Sequence, residues 1–175
     1  MLNRLFRPRP AQLVGRALYA QAVEQSRSPA LYTTLGAPDT VEGRFEIYSL
    51  HVMLLLDRLN VPGERAKDTA QALFDTYVKA LDHALREMGV GDLSVGKKMR
   101  KLGEAFFGRA KSYRAAFAAL PEVQPLRDLL SRTVYADADA ARAPELADYV
   151  LAQRTGLAAE PLDAVLEGRI AWRPA

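Results

Sequence analysis

The chain has 175 residues, 49% of them hydrophobic and 26% charged, with a formal net charge of +3, which is the make-up of a globular domain and excludes an intrinsically disordered chain. Folding at this size buries roughly 70% of the surface that the unfolded chain exposes. The absence of cysteine excludes disulfides and thiolate chemistry, and two histidines, His51 and His83, leave little material for a transition-metal site.

The opening "MLNRLFRPRP" lacks an apolar h-region, so no secretory signal is expected, and residues 1–9 read as a basic tail. Leu2, Leu5 and Phe6 stand among its arginines and suit either a mobile terminus or insertion into lipid headgroups. From residue 10 the pattern turns helical. Pro10 suits a first turn, and Leu13, Val14, Ala17, Leu18, Ala20 and Ala22 follow at helical steps up to residue 27. A short helix is expected after the Ser28-Pro29 start, ending before Gly36 and Pro38.

Residues 40–60 are apolar almost all round, which predicts a helix buried in the middle of a bundle. Its longest apolar run, Val52 to Leu56, is far short of the ~20 residues that a membrane span needs. Residues 64–88 place Ala66, Ala70, Leu73, Phe74, Tyr77, Leu81, Leu85 and Met88 at three- and four-residue steps and stop at Gly89. Asp92 or Ser94 can then cap a helix through Val95, Met99, Leu102, Phe106 and Phe107, which Gly108 either bends or leaves straight on the way to Phe117. Shorter helices are expected over 122–135, 144–155 and 159–168, separated by the loose stretch 136–144 and by "RTGLAAEP". With no strand-like alternation anywhere, the expectation is an all-α single-domain bundle of six to eight helices over residues 10–175.

Gly91-x-x-x-x-Gly96-Lys97 has the spacing of a phosphate-binding loop, but its context is wrong. A helix precedes it instead of a strand, Lys98 stands where a magnesium-binding hydroxyl belongs, and Asp92 would face the phosphates. The better reading is a helix-to-helix corner in which Gly89 ends one helix, Gly91 lets the chain reverse and Asp92 caps the next. Charge is uneven along the chain. Residues 96–114 carry Lys97, Lys98, Arg100, Lys101, Arg109, Lys111 and Arg114 against Glu104 alone. This run is either an ordinary solvated face or a basic surface for RNA or anionic lipid.

The runs Leu31 to Leu59 and Leu73 to Phe117 together closely resemble the ubiquinol-cytochrome c chaperone family. The resemblance rests on Asp39-Thr40-x-x-Gly43-Arg44-Phe45, Leu50-His51-x-x-Leu54, Asp82, the stretch Arg86-Glu87 to Lys97-Lys98, and Gly108-Arg109 with Tyr113. It implies an assembly factor without enzymatic activity or cofactor, binding newly made cytochrome b during biogenesis of ubiquinol-cytochrome c reductase. The implied place is the cytoplasmic side of a bacterial inner membrane, or the mitochondrial matrix side in a eukaryote. Ribosome contact is a trait of mitochondrial relatives, and a helical ribosome- or RNA-binding module with no client is the alternative function.

Residues expected to meet the client or partner are Arg44, His51, Arg86, Glu87, Asp92, Lys97, Lys98, Lys101, Arg109 and Tyr113. Other roles stand beside these. His51 on the apolar central helix suits a hydrogen-bonded core residue, the aromatics suit core packing, and Arg44, Asp57, Asp82, Arg86 and Glu87 suit charge pairs that fix how the helices meet the corner. Neither a metal site nor a catalytic group is expected, since no nucleophile pairs with a base.

Overall fold

The organising element is the helix Val41–Leu59 (α3), whose Ile47, Leu50, Val52, Met53, Leu54, Leu55 and Leu59 are buried on every side of its circumference. In the computed structural model, which describes residues 9–136 and 140–175, helices α1 (Pro10–Ser26), α4 (Glu64–Glu87) and α7 (Ala143–Ala159) pack around it. A short α2 (Pro29–Thr33) leads into α3, α5 (Asp92–Ala118) lies on α4 and α6 (Gln124–Thr133), and α6 lies on α7. The turn of 3-10 helix Ala140–Arg142 precedes α7, and α8 (Leu162–Val165) follows it. The described residues thus form an all-α bundle with eight α-helices and no strand. The basic tail before Arg9, including Leu2, Leu5 and Phe6, and residues 137–139 of the loose 136–144 stretch lie outside the described residues; from residue 140 that stretch forms the 3-10 turn and the start of α7.

Two glycines set the closeness of packing. A Cβ at Gly15 would lie 2.7 Å from the backbone of Ala72 and Leu73, so only glycine lets α1 settle directly on α4. A Cβ at Gly43 would stand 2.1 Å from the Pro38 carbonyl oxygen. The backbone N–H of Gly43 donates instead to Thr40 Oγ1 at 3.1 Å, capping α3. The glycines within α5, Gly96, Gly103 and Gly108, face open space, and the helix runs straight through all three.

The α4–α5 corner follows the expected helix-to-helix path with different parts. Gly89 adopts the left-handed conformation at φ 82°, while Val90 N–H donates to Leu85 O and Gly89 N–H to Arg86 O, forming a Schellman stop. Gly91 is ordinary extended backbone at φ −67°, so it supplies no special reversal. Asp92 is the first residue of α5, and its carboxylate accepts from Arg86 instead of capping the helix amides. Another difference lies in α7, which continues through Gly156 to Ala159 where a break was expected. Arg58 explains this, because its guanidinium donates to the Leu157 carbonyl at 2.7 Å and to the Glu160 carbonyl at 2.8 Å, satisfying the terminus. The expected helix over 159–168 shrinks to the four residues of α8.

A buried polar cluster holds the C-terminal segment against the core. The fully buried His51 accepts from Tyr149 O–H at Nε2, 2.8 Å, and its Nδ1–H donates to the Ile47 carbonyl at 2.8 Å, the only assignment that satisfies both neighbours. Gln25 Nε2 donates both to Tyr149 Oη and to the Arg173 carbonyl, and Gln153 exchanges two hydrogen bonds with the Arg173 backbone. Trp172 sets its ring edge-on to His51 at 5.2 Å.

Burial pushes the His51 imidazole from 6.5 down to about 4, with the Ile47 hydrogen bond opposing this in part. A depressed histidine contributes stability that is complete above pH 6.5 and lost as pH falls toward 4. Wild-type protein should lose on the order of 3 kcal/mol through this residue across that window, and imidazole NMR should find His51 neutral down to about pH 4. Gly15→Ala should cost about 1–3 kcal/mol in urea unfolding, whereas Gly96→Ala, facing open space within α5, should add roughly 0.5–1 kcal/mol.

Candidate functional site

Two grooves open where the helices around α3 leave its coverage incomplete. The first, about 560 Å³, lies between α1, α3, α4 and the start of α5. Its walls are predominantly apolar, formed by Tyr19, Phe45, Tyr48, Leu81, Leu85 and Leu102, with Arg27, Arg44, Glu42 and Glu46 at the margin. Val41 and Met88 stand at its mouth, 64% and 58% exposed. The Thr40 cap and the Gly43 contact fix the first turn of α3 and thereby aim Arg44 and Phe45 at this groove. Arg44 is held by Asp39 and lies 5.3 Å over the Tyr32 ring, so its guanidinium is oriented but still half in solvent.

The second groove, about 650 Å³, runs between the end of α3, the 60–63 loop, α4 and the second half of α5. Its floor is an aromatic cluster in which Phe74 meets Phe106 and Phe107 at 5.5 Å each, and Tyr77 meets Phe106 at 4.8 Å. Phe106 is buried and Phe107 is 61% exposed, since neighbours on a helix point about 100° apart and only one of the pair can face inward. Asp57 pairs with Arg154 at 2.9 Å, and Arg154 also covers the Phe117 ring at 4.6 Å.

The residues expected at a partner contact fall in three separate places. His51 and Tyr113 lie in the interior, where a partner cannot touch the His51 ring and Tyr113 forms part of the second groove's floor. For His51 the direct-contact reading gives way to a core role, because its side chain is fully enclosed, while Tyr113 packs on the inward line of α5 and still lines the second groove. Arg109 makes a fork of hydrogen bonds, 3.1 and 3.0 Å, to the nearly buried carboxylate of Glu46, tying α5 to α3 beside the first groove. Arg86, Glu87 and Asp92 gather at the corner: Arg86 bridges Asp82 at 2.7 Å and Asp92, while Glu87 meets His83 at 3.2 Å. Lys97, Lys98 and Lys101 are exposed and take no carboxylate among the described residues. Of the five charges expected to fix the corner, only Asp82, Arg86 and Glu87 are there; Arg44 turns to Asp39 and Asp57 to α7.

Burial pushes the phenols of Tyr48, Tyr77 and Tyr113 well above their ordinary value of 10.0, so none is an anion at neutral pH. Ser49 Oγ is engaged with Tyr77 Oη at 2.9 Å, and no group of three or more His, Asp or Glu among the described residues could hold a metal ion. No helix among them is long and apolar enough to cross a membrane. Glu46, Val41 and Met88, which line the first groove, and Phe107, which lines the second, were not among the residues expected at a partner contact. The adjacency of Phe106 and Phe107 was a usable signal, whereas the Glu46–Arg109 pairing spans 63 positions and has no local trace.

Comparison with known proteins places this arrangement among relatives. A family model described as ubiquinol-cytochrome C chaperone matches residues 33–172. Ubiquinol-cytochrome-c reductase complex assembly factor 1 of Xenopus laevis is 22% identical over 167 residues, covering 93% of this chain and 82% of that protein. The crystal structure of the Cbp3 homolog from Brucella abortus matches with a TM-score of 0.86 at 34% identity, covering 99% of this chain and 97% of that one. The second groove lies within the span matched by the family model, and the first reaches beyond it through α1, Arg27 and Tyr32. This chain belongs to the ubiquinol-cytochrome C chaperone family.

Proposed function

We propose that the protein assists assembly of ubiquinol-cytochrome c reductase by holding an apolar segment of newly made cytochrome b in the groove between α1, α3, α4 and α5. The observation that carries this reading is the groove's lining: apolar side chains form its walls, Val41 and Met88 expose large apolar area at its mouth, and charges stay at the margin. Such a surface suits the apolar face of a helix that has not yet reached its final environment. Arg27 and Arg44 at the margin can meet the carbonyl end or an acidic flank of that helix.

The same reading gives the motif Asp39-Thr40-x-x-Gly43-Arg44-Phe45 a physical task. Thr40 and Gly43 set the start of α3, Asp39 holds Arg44, and Phe45 supplies apolar wall. Binding and release of this kind need no covalent step, and the site of action is the cytoplasmic face of the membrane that receives cytochrome b.

The test uses Val41→Asp together with Met88→Asp, two exposed positions whose change should leave the melting temperature intact. Each substitution should weaken capture of cytochrome b segments by about tenfold or more, the share of a partly buried Val or Met side chain, and reductase assembly in cells should fall with it. A photo-crosslinker at 41 should capture cytochrome b. Undiminished capture by the doubly substituted chain, or crosslinks only from Phe107 in the other groove, would move the client elsewhere.

A further inference from the structure

The corner between α4 and α5 has features that the client groove does not explain. Leu93, in the first turn of α5, is 102% exposed, and Met88, at the end of α4, is 58% exposed. A Cβ built at Gly89, Gly91 or Gly96 meets no atom within 4 Å, so the corner stands clear of the rest of the fold. Following Leu93, Lys97, Arg100 and Lys101 recur at the fourth, seventh and eighth positions and therefore share its side of the helix.

The charges here are out of balance. At the corner Asp82 and Asp92 engage Arg86 and Glu87 engages His83, while Lys97, Lys98, Arg100 and Lys101 pair with no carboxylate among the described residues; Glu104, the one acid among these cations on α5, forms no ion pair there either. The fully exposed Leu93 stands about one helical turn before these cations. An apolar tip ringed by cations fits a boundary with hydrocarbon beneath and phosphates above.

We propose that this corner docks the protein on an anionic lipid surface, Leu93 and Met88 entering the headgroup layer while Lys97, Arg100 and Lys101 meet lipid phosphates. Met88 also belongs to the mouth of the client groove, so docking would present that mouth to the membrane. A nucleic acid would meet the cations equally well but offers nothing to Leu93, and this separates the two partners.

The experiment is flotation of the full chain with phosphatidylcholine vesicles, with or without phosphatidylglycerol; it contains no client and does not depend on the client reading. Wild-type protein should float only with phosphatidylglycerol, less as salt rises. Lys97→Gln, Arg100→Gln and Lys101→Gln should each lower partitioning about fivefold. Leu93→Ala should lower it severalfold with an unchanged thermal melt. Absent or charge-independent flotation would overturn the proposal. So would flotation insensitive to all four substitutions, which would place the contact on the N-terminal tail or another face. Preferential binding to a structured RNA, weakened by the glutamine substitutions but not by Leu93→Ala, would overturn it in favour of a nucleic-acid surface.

Discussion

A helix that is apolar around its whole circumference cannot rest on one neighbour. Helix α3 carries buried residues on all sides, and each exposed flank would cost about 25 cal/mol for every Å² of apolar surface left in water. The demand for cover recruits α1, α4 and α7, and the close approach of α1 to α4 at Gly15 is one result. The grooves are the other. They open at the two ends of α3, where its first turns and its last turns outrun the helices that cover its middle.

Enclosing α3 also encloses its polar groups, and a buried donor or acceptor without a partner costs about 1–3 kcal/mol. His51 meets this constraint with the Ile47 carbonyl and the Tyr149 hydroxyl, and Tyr149 passes the requirement to Gln25. The chain's last residues are drawn in by the same network, since Gln25 and Gln153 both need the Arg173 backbone. Packing at the centre thereby decides where the C-terminal segment lies. Glu46 and Arg109 do for α5 what His51 does for α7, with a forked ion pair at the margin of the core in place of neutral hydrogen bonds.

Division of labour between the buried and exposed groups gives the molecule its functional character. Inside, His51 is neutral and Glu46 is paired with Arg109, while the exposed surface includes apolar side chains at groove mouths and cations on α5 that take no carboxylate among the described residues. Such a surface offers adhesion to apolar and anionic partners with no group poised for bond making. Met88 stands both at the mouth of the first groove and at the α4–α5 corner, so the two surfaces adjoin.

Much of this was legible in the sequence because helix periodicity is local. The circumferential apolar pattern of α3, the glycine stop at Gly89 and the Asp39 to Phe45 motif were each visible within a few turns of chain, and so was the family resemblance they carry. The corner was read correctly as a join of two helices with its stop at Gly89, but Gly91 makes no special turn and the Asp92 carboxylate serves Arg86 instead of the helix amides. Side-chain partners across the fold had no such trace. Asp57 with Arg154, Glu46 with Arg109 and His51 with Tyr149 join positions 63 to 98 apart, and which of several charges meet depends on how the helices cross. Sequence by itself determined the helices and the buried centre, since both follow from hydrophobic spacing over short range; only tertiary packing decided which aromatic faces a groove, which cation stays free and where the surface opens.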